Sequence, residues 1–116
     1  MRFKLLIALV QDERTEAVLQ AAREAGATGA TVITSARGEG LEPTRSFLGL
    51  SLETPRDVVM LLVEEHRSRA ILEHIAQVAR FDADPGSGIA FQIAVEDAVG
   101  ISQQMNVLLQ EVEDEL

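Results

Sequence analysis

One stretch of this chain is written twice. Leu6-Ile7-Ala8-Leu9-Val10-Gln11-Asp12-Glu13-Arg14-Thr15-Glu16-Ala17-Val18-Leu19 aligns with Val59-Met60-Leu61-Leu62-Val63-Glu64-Glu65-His66-Arg67-Ser68-Arg69-Ala70-Ile71-Leu72, every residue standing 53 positions before its counterpart. Each copy is an apolar run, a polar step and then apolar residues at helical spacing. A glycine-bearing turn and another apolar stretch follow, Ala30 to Ser35 in the first half and Ile89 to Val95 in the second. A strand–helix–strand unit of this size cannot bury its own apolar face, so two copies are expected to share one sheet. The arrangement that achieves this is the ferredoxin-like βαββαβ fold, an α+β sandwich with a four-stranded antiparallel sheet. That fold hosts many unrelated functions, so the site residues must supply the rest.

Phe3 to Val10 is nearly all apolar and reads as a buried central strand with helices over both faces. Asp12 is expected to cap the first helix, with Glu13 and Glu16 suiting its positive end. Val18, Ala22 and Ala25 give that helix a buried stripe, and Gly26 stops it. Gly29 to Arg37 is a second strand, rich in Thr, Val and Ile. Residues 38–56 carry Gly38, Gly40, Pro43, Gly49 and Pro55, which predicts a long protruding loop between strands 2 and 3. Val58 to Glu64 forms the third strand, and a second helix over about Glu65 to Phe81 carries Ile71, Ile75 and Val78 on one face with Leu72 and Ala79 beside them. Asp82 to Gly88 is a turn-forming loop ahead of the last strand, Ile89 to Val95. Residues 1–101 therefore form the domain. Residues 102–116 form a short helical extension spaced on Met105, Leu108, Leu109 and Val112, with an acidic end at Glu113-Asp114-Glu115.

With 116 residues there is room for one domain. Nineteen acidic side chains against ten basic ones, a net charge of −9, exclude a phosphate-backbone binder, so no nucleic acid is expected as partner. The absence of cysteine removes disulfides, thiolate metal sites and cysteine nucleophiles. Leu5 to Val10 is far shorter than the ~20 residues of a membrane span. Charged residues follow it where a signal peptide would have its cleavage site, so the expectation is a cytoplasmic protein with no direct membrane insertion. A sheet with one bare apolar face would want a neighbour, and self-association follows as an expectation.

Two glycine pairs stand out, Gly38-Glu39-Gly40 and Gly86-Ser87-Gly88. Either is a simple turn or a nest of N–H groups that holds an anion. Neither has the preceding strand and following helix of a dinucleotide fingerprint or a nucleophile elbow. His66 and His74 stand eight residues apart on one helix, hence ~12 Å, too far to share a metal. The serines have no credible base. The carboxylate pairs read as helix starts and solvated faces, Glu64-Glu65 being the least ordinary of them. No catalytic residue, no metal ligand and no catalytic cofactor is expected, and the protein is not an enzyme. Arg37, Arg45 and Arg56 bracket the long loop; they form an anion site suited to bidentate contacts or simply solvate an exposed segment.

The segments Glu24-Ala25-Gly26-Ala27-Thr28-Gly29-Ala30-Thr31-Val32, Gly86-Ser87-Gly88-Ile89-Ala90-Phe91-Gln92-Ile93 and Val95-Glu96-Asp97-Ala98-Val99-Gly100-Ile101 resemble the nitrogen-regulatory PII proteins. The resemblance runs nearly to Ile101 and implies a signalling protein, a homotrimer of ferredoxin-like subunits. Adenine nucleotide, ATP or ADP, would bind as a regulatory ligand in the clefts between subunits. The exposed loop would engage a protein target, an enzyme or a membrane transporter. By the same resemblance Thr31 lies beside the adenine, Ile7 and Leu62 wall the base, and Gly29 belongs to the nucleotide-binding residues. Arg37, Gly38 and Gly40 stand where the loop leaves the cleft, and Gly86, Ser87 and Gly88 form the phosphate loop. Arg45, Phe47, Leu48 and Arg56 would belong to the partner-binding loop.

The chain departs from that pattern at three cations. Family members usually have Lys where Ile89 stands, and two Arg where Gly100 and Ser102 stand. Charge-assisted contacts are worth ~1.5–3 kcal/mol each, so the hold on a triphosphate is weakened. The loop is shorter than usual and has no tyrosine to modify. The alternative reading is a PII-like sensor of a small anion or metal that does not bind nucleotide.

Overall fold

The computed structural model describes residues 2–37, 46–47, 50–51 and 55–101. Along the chain run strand β1 (Phe3–Gln11), a 3₁₀ turn (Asp12–Arg14), helix α1 (Thr15–Glu24) and strand β2 (Thr31–Ala36). Two short strands, β3 (Ser46–Phe47) and β4 (Leu50–Ser51), pair antiparallel with each other. Strand β5 (Arg56–Glu64), helix α2 (Glu65–Val78) and strand β6 (Gly88–Val95) complete the described elements. The main sheet has the order β2-β5-β1-β6, and every neighbouring pair is antiparallel. This is the ferredoxin-like βαββαβ arrangement that the doubled sequence predicts. The expected terminal helix, residues 102–116, lies outside the described residues.

The internal repeat is visible in the fold. Strands β1 and β5 have the same length and stand 53 residues apart end to end, and they pair with each other down the middle of the sheet from Phe3↔Glu64 to Gln11↔Arg56. The core repeats likewise. Leu6, Ala8, Val10, Val18 and Ala22 are buried in the first half, and their counterparts Val59, Leu61, Val63, Ile71 and Ile75 in the second; all ten belong to one cluster, which Ala21 and Ala79 complete.

Among the described residues, helices cover one face of the sheet, not both. Along β1, buried Leu6, Ala8 and Val10 alternate with half-buried Leu5, Ile7 and Leu9. The register puts those three on one face with Val58, Met60 and Leu62 of β5 and with Ile89, Phe91 and Ile93 of β6. Phe91 and Ile93 are exposed there, as is Ile33 of β2. The apolar run of β1 is thus continuous because its second face is also apolar.

Three local expectations are corrected. Asp12 does not cap α1: it opens the 3₁₀ turn, and the residue at the helix start is Arg14, with no side-chain cap. A buried pair does related work, because the Thr15 hydroxyl donates to Asp57 Oδ2 at 2.6 Å and holds a carboxylate at the positive end of α1. Helix α2 stops at Val78 instead of Phe81, and Val78 is 40% exposed, the buried position having passed to Ala79.

Candidate functional site

The sheet register decides which expected site residues can meet. Thr31 of β2 pairs with Met60 of β5, which pairs with Ile7 of β1, which pairs with Phe91 of β6. Thr31 and Ile7 therefore share a row on the open face, and Leu62 lies two residues further along β5 on that face, beside Leu5. Gly29 precedes β2, is exposed, and lines a cavity of about 270 Å³ with Leu19, Ala22, Arg23, Ala27 and Thr28.

The expected phosphate loop stands at the opposite edge of the sheet, ahead of β6. Gly86 has φ +79°, a backbone that only glycine adopts without strain. Gly88 is required for a different reason: a Cβ there would come within 2.6 Å of the Phe81 ring and 3.0 Å of the Leu9 carbonyl. Ser87 is 1% exposed, and its hydroxyl donates to the Arg80 carbonyl at 3.4 Å. The Ser87 N–H donates to the Asp84 carbonyl, and its own carbonyl accepts from the Gln11 N–H. Gly86 and Gly88 line a second cavity, about 340 Å³, with Leu72, Ala76, Phe81 and Asp82, and it shares no residue with the one at Gly29.

The arginines separate. Arg37 follows the last residue of β2 and is exposed, whereas Arg56 opens β5 and is only 3% exposed. Burial pushes the Arg56 guanidinium below its ordinary pKa, and Asp12 opposes that shift. Arg56 pairs in register with Gln11 on one side and with Ala36 on the other. The feet of the long loop and the Ser87 turn therefore lie at the same end of the sheet with β1 between them, where the Asp12 N–H also donates to the Pro55 carbonyl. Arg56 is thus a strand residue at the base of the loop. Gly38, Gly40, Arg45 and Leu48 lie outside the described residues, and of Phe47 only the strand position in β3 is described.

Sequence reading misses the side chains that fasten this end. Arg14 Nη1 donates to the Ala79 carbonyl at 2.5 Å, and its Nη2 pairs with Asp84 Oδ2 at 2.8 Å. Arg80, itself at φ +59°, also reaches Asp84 Oδ2 at 3.3 Å. These contacts hold the turn after α2, and the Arg14 hydrogen bond leads in lowering the Asp84 pKa. The repeat does carry a signal for them. Arg67, the counterpart of Arg14, lies against Gly26, the counterpart of Ala79, so closely that a Cβ there would be 2.8 Å from Arg67 Nη1. An arginine at the start of each helix thus meets the end of the other helix.

Each histidine has a carboxylate. His66 Nδ1 lies 3.2 Å from Glu64 Oε2, and His74 Nε2 lies 3.0 Å from Glu24 Oε2. Among the described residues no three His, Asp or Glu side chains converge as a metal cluster, and no helix is long and apolar enough to cross a membrane.

The family model for nitrogen regulatory protein P-II matches residues 3–105, most of the chain. The chain belongs to the P-II family. Among solved structures, a protein from Thermus thermophilus described as PII-like is similar at 24% identity and a TM-score of 0.61, over 82% of this chain and 88% of that one. CPII from Thiomonas intermedia, bound to ADP, AMP and acetate, is similar at 19% identity and a TM-score of 0.60, over 83% and 90%. Its apo form, described as a nitrogen regulatory PII-like protein, gives 20% identity and a TM-score of 0.60, over 82% and 92%. At these identities the structures speak for the fold alone. No curated protein matches the chain.

Proposed function

We propose that this P-II family member is a trimeric, non-enzymatic, cytoplasmic signalling protein. It binds ATP or ADP in clefts between neighbouring copies and regulates a protein target through residues 38–56. One observation carries the reading. Thr31, assigned to the adenine, and Gly86 to Gly88, assigned to the phosphates, stand at opposite edges of the four-stranded sheet. Three strand spacings separate the edges, ~14 Å. Within one chain a nucleotide joining them would have to lie across the apolar open face. Between two copies, the β2 edge of one can meet the Gly86 turn of the next, and the same association covers Phe91, Ile93 and Ile33. The CPII relative bound to ADP and AMP supports the ligand class.

Within that cleft Ser87 serves the turn and not the ligand, because its hydroxyl is buried against Arg80. The loop contributes backbone, and Arg56 at the foot of residues 38–56 contributes positive charge. Nucleotide held there would bind one arrangement of the 38–56 segment better than another and so change what a target meets. Calorimetry with ATP, ADP, AMP and cyclic AMP, beside light scattering, tests the proposal. The expected result is a trimer that binds at least one of the four. A monomer at micromolar concentration overturns the cleft, and silence from all four at millimolar concentration overturns the nucleotide.

A second reading has its own observation. The buried guanidinium of Arg56, in a chain with Ile89, Gly100 and Ser102 at the family's cationic positions, favours a sensor of a small anion in place of a triphosphate. Thermal shift by bicarbonate or acetate with no shift by any nucleotide is its expected signature.

A further inference from the structure

Strand β2 breaks its alternation just before Arg37. Thr31, Val32 and Ile33 pair in unbroken register with Met60, Val59 and Val58, but Arg56 is met by Ala36. Three steps along β2 therefore match two along β5, a bulge of one extra residue. Ser35 stands inside it at φ +60°, a left-handed backbone on a residue that has a Cβ. Because successive side chains point to opposite faces, one extra residue changes what the strand presents beyond it. Thr31 and Ile33 share the open face with Met60 and Val58, and Ala36, opposite Arg56, shares it too. Alternation then carries Arg37 off that face, whereas a strand without the bulge would place Arg37 on it.

An edge strand often carries a bulge only to repel foreign strands. A bulge kept as such a guard is served best by glycine, which adopts a positive φ without steric cost. A residue with a Cβ pays roughly five- to thirtyfold in an equilibrium for the same conformation, which leaves the regular register within reach. We propose that Ser35 is a positioning residue: its bulge keeps Arg37 out of the cleft assigned to nucleotide, and a one-residue slip of β2 brings Arg37 in. In the slipped register Ser35 faces Arg56, and Arg37 joins Thr31 and Ile33 on the open face. Two guanidinium groups, Arg37 and Arg56, then share one corner and suit the phosphates of a nucleoside di- or triphosphate. Without an anion the two repel each other, which favours the bulge. Phosphate favours the slip, because only that register offers it both cations. The inference deepens the nucleotide reading and rests on it, but the slip itself is readable with no nucleotide present.

The test compares the full chain with Ser35→Gly, with Ser35→Val and with a chain lacking Ser35. Glycine relieves the bulge of its cost, whereas β-branched valine resists a positive φ and favours the regular strand. Deleting Ser35 removes the extra residue yet leaves Ala36 opposite Arg56 and Arg37 off the open face. NMR relaxation dispersion and cross-strand contacts at Arg56 report the register. The expected result is exchange at residues 35–37 and at Arg56 in the parent, quenched in Ser35→Gly and in the deletion. In Ser35→Val, residue 35 and not Ala36 should face Arg56. Calorimetry with ATP should rank Ser35→Val first and the parent second, with Ser35→Gly and the deletion weaker than the parent by about fivefold or more. Adding Arg37→Ala to each chain should erase those differences, which a purely structural role of Ser35 would not predict. A single bulged register in the parent and in Ser35→Val, or equal ATP affinity in all four chains, overturns the proposal and leaves the bulge an edge guard. Exchange that persists while ATP binds none of the chains supports the slip and overturns the nucleotide reading instead.

Discussion

The two halves of this molecule agree inside and differ at their ends. Five core positions of β1 and α1 have buried counterparts in β5 and α2, and the reciprocal arginines Arg14 and Arg67 cross between the helices. The entries to the helices differ. In the first half a 3₁₀ turn intervenes, and Thr15 and Asp57 share a buried hydrogen bond; in the second, β5 runs straight into α2, with Glu64 and His66 at the junction. The exits differ too: only the second half carries the Asp84-to-Gly88 turn fastened by Arg14 and packed on Phe81. What is repeated makes the fold. The expected phosphate loop, Gly86 to Gly88, lies in what is not repeated, whereas Ile7 and Leu62 of the same candidate site lie on the repeated strands.

The sharpest way to break the comparison is in the core. Ile71 and Val18 are repeat counterparts, each 0% exposed. Ile71→Ala should cost about 2–5 kcal/mol in urea unfolding, whereas Ile71→Val, which makes the second half like the first, should cost only about 0.5–1.5. A loss for Ile71→Ala below that of Ile71→Val would mean that the second helix does not carry the shared core. Next comes Gly88→Ala, which forces a Cβ between the Phe81 ring and the Leu9 carbonyl and should cost about 1–3 kcal/mol. Gly29→Ala meets nothing within 4 Å and should stay within about 0.5 kcal/mol of the parent by the same measurement. Equal effects of the two alanines would remove the packing explanation of Gly88.

The repeated parts are legible in the sequence because they obey one periodic rule, and a period survives without any knowledge of partners. Strand order follows from the same rule. The burial of Val18, Ala22, Ile71 and Ile75 is readable for that reason. Val78 reads wrongly because α2 ends at the very residue in question, so helical spacing no longer fixes its direction. Asp12 reads wrongly because a polar residue before an apolar stripe looks alike whether a helix or a 3₁₀ turn follows. The site is less legible still. Gly88 is glycine because of a ring seven residues earlier, Ser87 faces inward, and Arg56 is buried at the root of a segment that reads as exposed loop. Each of those facts depends on a tertiary contact that leaves no local pattern. Arg14 is the exception, since its alignment with Arg67 marks the pair.

That pair offers a finer test of the unlike exits. Arg14→Ala removes the donors to the Ala79 carbonyl and to Asp84, so the 80–87 turn should open locally with little change in the global unfolding midpoint. Amide exchange at Ser87, whose N–H donates to the Asp84 carbonyl, should speed severalfold, while exchange in β1 and β5 stays at parental rates. Arg67→Ala should leave the Ser87 amide untouched. Faster exchange at Ser87 in both variants would mean that the arginines act on the whole domain and that the turn is not separately fastened.

The smallest expected effect is a pH dependence with the same origin. The Arg14 hydrogen bond, ahead of the charges of Arg80 and Arg14, holds Asp84 below the ordinary aspartate value, and the His74 hydrogen bond leads in doing the same to Glu24. Unfolded Asp and Glu titrate near ~3.9 and ~4.3. A carboxylate whose folded value is depressed binds protons more weakly in the folded chain, so its stabilisation is complete above the unfolded value and is lost as pH falls through the folded one. Both groups are well exposed, which keeps each contribution small. The stability gap between the parent and Asp84→Asn, measured by urea midpoint, should be level from neutrality down to about pH 5 and should close below about pH 4. The gap for Glu24→Gln, on the helix–helix side, should likewise close below about pH 4. A gap that persists unchanged into acid at Asp84 would show that Arg14 holds the turn through the Ala79 carbonyl alone, leaving the charge on Asp84 idle.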